Sequence, residues 1–600
     1  MRDHVASRPA HNTTANSASP GALLTARFLI VAVVLAAYVR SASSPFIFDD
    51  VEGIVEAPHL RRLWPLSRFL TAPPDTLTSG RPVLSLSFAL NYAVDGVRST
   101  VGYHLVNIAI HALTALLLFG FLRRLLSWPI FAIRWPGAAL PIALASALLW
   151  AVHPLQTESV TYIAKRCESL MGMFYALTLY AAVRGGMAPS AGELLSYDEA
   201  RARRRWQIVA VAACALGMAT KETMVTAPLV LLLLDRSLVS GTFASALRAR
   251  WRLYCGLAAT WAVLAALVVS SPRGVTTGFG LEGLTSWTYL LTQAGVIVHY
   301  LRLVVWPWPQ CVDYYDWPIA GSPGDVLLPG LLVLALLAAT AWGLYRRSPV
   351  SLCGAWFFAT LAPSSSVLPI REIACEYRMY LPLLAPCVLV GFALWRAGRA
   401  LRGGAAARLV GPTLAGLLIV SLGAATVRRN SDYDSALAIW TSATSVRPGN
   451  WRSWNFLANE LARLDRLADA DAAFKRALEQ KPDYAPAMMG VGNVLAYRGR
   501  LDEAADQYRR VLREHPSYAF LAHQNLGALC MAQQQFTSAL DHYREACRLR
   551  PDLAAMHVYV GHALAAQGRS AEARRSFERA LQLDPDFAPA QAGIRARADR

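Results

Sequence analysis

Between Ala22 and Val427 the chain is a succession of apolar stretches of 14 to 25 residues, each broken by a short polar or basic segment. A helix crossing a bilayer needs about 20 apolar residues, so this region is expected to fold as a polytopic helical membrane domain. The charge content agrees, since only 16% of the chain is Asp, Glu, Lys or Arg, against about 25% in soluble domains. Lys and Arg nevertheless exceed Asp and Glu by 58 to 40. Membrane proteins collect basic residues in cytoplasmic loops, so this excess does not call for nucleic acid as a partner. The first stretch, ALLTARFLIVAVVLAAYV, follows a polar leader (1–21) and lacks a small-residue cleavage site, which reads as an uncleaved first span. The nine cysteines are scattered singly and indicate neither a disulfide framework nor a zinc site.

The arginines set an expected orientation. Arg123, Arg124 and Arg134, the run RARRRW (201–206), Arg248, Arg250 and Arg252, Arg346 and Arg347, and the segment 396–408 should all be cytoplasmic. That gives about eleven spans in a membrane domain over 22–430, with everything after residue 430 on the opposite side. The charge pattern also demands an odd number of crossings between Arg252 and Trp306. One of the candidates 253–271 and 285–306 should therefore lie in or on the membrane without crossing it.

Residues 431–600 form a different domain, charged, Ala-rich and periodic. Prolines recur at Pro448, Pro482, Pro516, Pro551 and Pro585. Eight residues before each later proline stand Phe474, Tyr508, Tyr543 and Phe577, and twelve before stand Ala470, Ala504, Ala539 and Ala573. Gly492, Gly527 and Gly561 fill a third recurring slot, with Ala458 in the first unit. A period of about 34 residues with small residues where helices touch is the tetratricopeptide pattern. About four such units are expected to stack into an α-solenoid, whose groove would take an acceptor or partner peptide. The expected fold class is thus all-α.

Charges at a membrane edge are costly and tend to be functional. Under the orientation above the notable ones share the extracytoplasmic side. Asp49, Asp50 and Glu52 follow the first span; His153, Glu158, Lys165, Arg166 and Glu168 lie in HPLQTESVTYIAKRCESL; Lys221 and Glu222 form the KET turn; Asp313, Tyr314 and Asp316 follow; and Arg371, Glu372, Glu376, Arg378 and Tyr380 lie in LPIREIACEYRMYLP. Carboxylates there suit a general base or a divalent cation, and the Arg and Lys residues suit a phosphate or pyrophosphate. Such a surface fits a lipid-linked phosphate. Adjacent carboxylates repel one another, which makes Asp49 and Asp50 the prime candidates. Lys221 with Glu222 and Arg166 with Glu168 read equally as local structural pairs. His104 and His111, seven apart on one span, read as packed core histidines rather than metal ligands.

In order along the chain, FIFDD, RPVLSLSFALNYAVDG with YHLVNIAIHAL, HPLQTESVTYIAKRCESL, KET, EYRMYLPL and the repeats together resemble the transmembrane and tetratricopeptide repeat (TMTC) family and its bacterial relatives, glycosyltransferases of the GT-C superfamily. Thr220 stands where relatives carry a small residue before KE, and Lys165-Arg166-Cys167-Glu168 where they often read GRAE. The resemblance implies an inverting transferase that moves a sugar, mannose or another hexose, from a polyprenyl-phosphate donor to a protein Ser or Thr hydroxyl. Asp49 or Asp50 would be the base. Arg166, Lys221 and Arg378 would bind the donor phosphate, with His153, Glu158, Glu168, Glu222 and Glu376 supporting; a divalent cation is a possible cofactor. High Ala and Arg content and no retention tail point to a bacterial inner membrane with the repeats in the periplasm. The competing readings are a non-catalytic scaffold that anchors the repeats for envelope assembly, and a transferase acting on lipid or glycan acceptors.

Overall fold

The structure is a computed structural model that describes residues 19–70, 72–73, 76–187, 196–271, 277–281, 283–400 and 404–598. The polar leader expected over 1–21 therefore falls outside the described residues up to residue 18. The chain divides into two compact units, Met1–Ile439 and Trp440–Arg600. Among the described residues there is no β-strand, only an isolated bridge between Thr277 and Ile370.

In chain order the first unit contains α1 (Pro20–Tyr38), α2 (Pro82–Asp95), α3 (Val101–Leu126), α4 (Pro129–Ala132), α5 (Ala139–Ala151), α6 (Thr157–Thr161), α7 (Arg166–Ala182) and α8 (Tyr197–Met218). It continues with α9 (Ala227–Asp235), α10 (Phe243–Ala249), α11 (Trp251–Ser270), α12 (Ser286–Val305), α13 (Leu327–Tyr345), α14 (Ser351–Leu361), α15 (Leu384–Ala400) and α16 (Gly404–Asn430). This is a multi-pass integral membrane unit. Among the described residues seven helical segments are long and apolar enough to cross a bilayer, or eight when the bent pair 139–151 and 154–161 counts as one. Length and apolarity thus give fewer spans than the eleven expected. The shortfall has physical causes: α14 has only 11 residues, α7 has 17 and opens on Arg166 and Glu168, and α8 carries the 201–206 arginine run in its first half.

Hydrogen bonds sort the helix ends into two groups. At one end Asn430 donates to Ala37 O and accepts from Thr161, Thr426 donates to Val152 O, and Ala164 N–H donates to Asp50. At the other Arg236 donates to Leu344 O, while Arg250 and Gln207 donate to Gly186 O and Gly185 O. The first group carries the acidic loops and the second the arginine-rich ones. Helix α12 is long and apolar enough to span, yet all of it lies along the acidic end. Tyr289, Gln293 and Tyr300 bond to Ser364 O, Ile373 O and Cys375 N, and Val304 O lies 3.1 Å from His153 Nε2. Of the two candidates between Arg252 and Trp306, it is the second that runs across the end of the bundle.

The second unit follows α17 (Ala436–Val446) with paired helices α18 (Trp451–Arg463) and α19 (Leu467–Gln480), α20 (Ala485–Tyr497) and α21 (Leu501–Glu514), α22 (Ala519–Ala532) and α23 (Phe536–Leu549), α24 (Ala554–Ala566) and α25 (Ser570–Leu583), and α26 (Ala588–Ala598). The recurring slots are the helix-to-helix contact. Ala470, Ala504, Ala539 and Ala573 are fully buried. A Cβ on Gly492, Gly527 or Gly561 would fall 2.5, 2.7 or 2.6 Å from the ring of Tyr508, Tyr543 or Phe577. The repeated glycine therefore lets the repeated aromatic of the next helix lie against the backbone, and the period in the sequence is the period of that contact. Ion pairs of this unit such as Arg500 with Glu503 and Arg548 with Glu545 are exposed and three residues apart, and others such as Arg510 with Glu514 are four apart, an arrangement that contributes little to stability.

Candidate functional site

The acidic end is built on an apolar bed of Ile54, Ala57, Leu60, Leu84, Phe88, Tyr103, Ile163 and Cys167. The bed seats the loop after α1 against α2, α3 and the start of α7. On it the two neighbouring aspartates point to different environments. Asp50 is 1% exposed, and its carboxylate accepts from Ile47 N–H at 3.0 Å and Ala164 N–H at 2.6 Å. It ties its own loop to the turn before α7. Burial, reinforced by Asp49 and opposed only in part by those donors and Lys165, pushes its pKa up to about 8. Asp49 keeps 32% of its side chain exposed and accepts from Lys165 Nζ at 2.9 Å, while its own N–H donates to Tyr162 Oη. One carboxylate is held by backbone donors and the other by an ammonium, so the pair does not form a joint cation site. Among the described residues no three His, Cys, Asp or Glu side chains are grouped so as to hold a metal ion.

A second ion pair stands beside the first. Lys221 Nζ donates to Glu168, whose side chain is only 4% exposed. Both lysines lie on one aromatic ring: Lys165 Nζ is 4.8 Å and Lys221 Nζ 5.1 Å from the centroid of Tyr377. Tyr377 is fixed at both ends, its N–H donating to Glu158 at 3.0 Å and its hydroxyl to Glu372 at 2.7 Å. Burial alone would disfavour the Lys165 ammonium, but Asp49, Glu372 and Glu158 outweigh it and hold its pKa well above the ordinary value. Next to Lys221 a small pocket opens between Glu168, Thr223, Thr360, Ser364 and Arg378. It holds positive groups, hydroxyls and one carboxylate.

The remaining expected residues are placed differently from one another. Arg378 lines the pocket, but it also donates to Tyr289 Oη and to the carbonyls of Ser364, Ile373 and Glu372, which fixes the 364–378 turn. Glu222 accepts from Arg81 at 3.2 Å rather than pairing with its neighbour Lys221. Glu376, 1% exposed, accepts from Gln310, Cys311 N–H and Tyr314, and so fastens the 306–317 segment; its pKa is raised by burial. His153 caps Leu155 N–H and reaches Val304 O. His104 lies 2.9 Å from Ser44 O, and His111 bonds Tyr380 and Ala151 O and stacks on Trp150. Both are packed core histidines.

Arg166 does not join the others. It is 0% exposed and gives its donors to Asn107, Asn91, Ser87 O and Tyr103 O, with its guanidinium 4.5 Å above Phe88. It links α7 to α2 and α3, with four of its five N–H groups given to these acceptors at a fully buried position. The cation facing the site is its neighbour Lys165. A 3-10 turn over Ile163–Lys165 gives way to α7 at Arg166, so the two side chains leave on opposite sides, and no helical period read through that break distinguishes them. Arg166→Met is expected to destabilise the protein by more than about 3 kcal/mol, since several buried acceptors lose a charged donor. The denaturation temperature of the purified protein in detergent checks this, and donor KM of the remaining folded fraction should be unchanged. Arg81 and Tyr377 are the members to which sequence reasoning gives no role, and Lys165 stands among its notable charges without being singled out; Arg81 is signalled by its place just before Pro82 at the start of α2 and at the head of the RPVLSLSFALNYAVDG motif.

Comparison with known proteins adds the following. Tetratricopeptide repeat models match residues 426–485, 457–519, 490–554 and 554–587. The chain is 24% identical over 93% of its length to mouse "Protein O-mannosyl-transferase TMTC3" and 23% identical over 93% to the human protein of that name. It covers 63% and 64% of those proteins, so it spans less than two thirds of their length. Drosophila "Protein O-mannosyl-transferase Tmtc2" is 26% identical over 52% of this chain and 33% of its own. Among solved structures, that of MamA is 20% identical with a TM-score of 0.23, covering 27% of this chain and 87% of the other.

Proposed function

We infer that this chain, which is TMTC-like along nearly its whole length, is a membrane glycosyltransferase that moves a hexose such as mannose from a polyprenyl-phosphate donor to a Ser or Thr hydroxyl of a protein. The observation that carries this reading is the pair of ion pairs on the Tyr377 ring: a partly exposed carboxylate, Asp49, is linked through Lys165 and that ring to Lys221, which lines a pocket together with Arg378. Asp49 takes the proton of the acceptor hydroxyl, the hydroxyl oxygen forms a bond to the anomeric carbon, and the bond from that carbon to the phosphate oxygen breaks. In-line displacement inverts the anomeric centre. Negative charge grows on the departing lipid phosphate, where Lys221 and Arg378 offset it. Lys165 orients Asp49, and Asp50 fixes the loop that carries it. Arg166 is not a phosphate ligand in this scheme. The acidic end faces the extracytoplasmic side, a bacterial periplasm, because the opposite end carries the arginines. The repeats present the protein acceptor.

The test is direct. Full-length protein in nanodiscs, given polyprenyl-phosphate mannose and a Ser/Thr-rich polypeptide, is expected to yield a hexose-modified peptide of inverted configuration by mass spectrometry and NMR. Transfer to lipid or glycan but never to polypeptide would sink the acceptor assignment, and no transfer with any hexosyl donor would leave the scaffold reading.

A further inference from the structure

At the end of the membrane unit away from the acidic site, Tyr180 lies near the C-terminus of α7 with two guanidinium groups over its ring. Arg124 Cζ is 5.7 Å and Arg184 Cζ 5.8 Å from the ring centroid, and Arg184 is also 4.2 Å from Trp206 of α8. The floor is built for this. Tyr180 meets Trp206 edge to face at 5.9 Å, and it packs against α3 where residue 120 is glycine, a Cβ there falling 2.8 Å from the ring. Arg123 adjoins Arg124, and Arg27 of α1 is close enough that its charge repels that of Arg123. Among the described residues none of these four arginines forms an ion pair, and Arg124 Nε is buried without a hydrogen-bond partner. Arg250 at the same end shows the contrast, since Asp235, Ser240 and Tyr254 close a complete network around it.

Four gathered like charges repel one another unless an anion completes the group. We propose that this cluster binds the phosphate of an anionic phospholipid in the leaflet at that end. Basic pockets between membrane helices take such headgroups, each Arg near the surface adding about 1 kcal/mol. The source of the phosphate is read from the surroundings of Arg27. It lies on an exposed face of α1 between Leu24, 67% exposed, and Phe28, 74% exposed, so the cluster is bordered by a surface that suits acyl chains. This site is independent of the transfer chemistry at the opposite end.

The experiment uses the full chain in a neutral detergent, with native mass spectrometry and thermal denaturation as readouts. Dioleoylphosphatidylglycerol is expected to remain bound and to raise Tm, where dioleoylphosphatidylcholine does neither. Arg124→Gln/Arg184→Gln is expected to weaken phosphatidylglycerol binding about tenfold to thirtyfold. Arg27→Gln, at an exposed position, should weaken it by several fold and decides the matter if the double variant does not fold. Equal binding of the two lipids, unchanged phosphatidylglycerol affinity in the variants, or an equal Tm rise with inorganic phosphate alone would each overturn the proposal.

Discussion

Asp49→Asn is expected to lower kcat for sugar transfer by a factor of about 10²–10⁴ with insertion and Tm unchanged, whereas changes at Asp50 strike stability first. The reasoning starts from what each carboxylate touches. Asp49 is partly exposed and held by Lys165, and an amide of the same size can still accept that bond, so the fold keeps its contact while the base is lost. Both oxygens of Asp50 are engaged by Ile47 and Ala164 N–H groups. Asp50→Ala leaves these buried donors unpaired at about 1–3 kcal/mol each, and activity falls because the loop bearing Asp49 comes loose. A pH arm separates the two further. The Asp50 carboxyl titrates at about 8 in the fold and near 4 in an unfolded chain, so between those values the folded state binds more protons and stability falls as pH rises. Asp50→Asn cannot titrate. The Tm deficit of Asp50→Asn relative to wild type should therefore shrink between pH 5 and pH 9. Full activity in Asp49→Asn, with loss in Asp50→Asn at an unchanged Tm, would exchange the two roles.

How much of this was legible depends on which physical quantity each feature needs. The solenoid was open to reading because one contact, an aromatic on a glycine or alanine, repeats with the chain period, and Tyr508 on Gly492 is the same event as Phe577 on Gly561. The sorting of acidic and basic loops to opposite ends was also legible, because charge is excluded from the bilayer between them. Helix α12 was not, since its apolarity is that of a span, and only its bonds to Ser364, Ile373 and Cys375 place it along one end. Sequence parity required a non-crossing segment there without saying which.

Side-chain direction at breaks was the other illegible quantity. Asp49 and Asp50 are adjacent, and Phe48 before them takes a positive φ of 47°, so no helical or strand period assigns their faces. The same holds for Lys165 and Arg166 at the start of α7. Neighbours in sequence were also poor guides to partners. Lys221 pairs with Glu168 and Glu222 with Arg81, pairs that join α7 and α2 to the KET turn, where adjacency favours Lys221 with Glu222 and Arg166 with Glu168. Residue types at the acidic end were thus visible, and their division into scaffold and site was not.

That exchange of partners supplies the second large effect. Lys221→Met is expected to abolish transfer, but by itself it proves little, since Glu168, with a side chain only 4% exposed, is left as an unpaired buried carboxylate at about 3–5 kcal/mol. The double variant Lys221→Met/Glu168→Leu removes both charges together, and replacing a buried pair by apolar residues of similar volume is often neutral or stabilising. Its Tm should return to within a few degrees of wild type. If Lys221 serves the leaving phosphate, kcat stays about 10²–10³-fold down even so, because the charge that met the developing negative charge is gone. If the pair only braces α7 against the KET turn, activity returns with stability. Recovery of both in the double variant would leave Arg378 as the remaining phosphate cation of the pocket, whereas recovery of Tm alone assigns the Lys221–Glu168 pair, both members of which line the pocket, to the chemistry, because the unpaired buried carboxylate has then been removed.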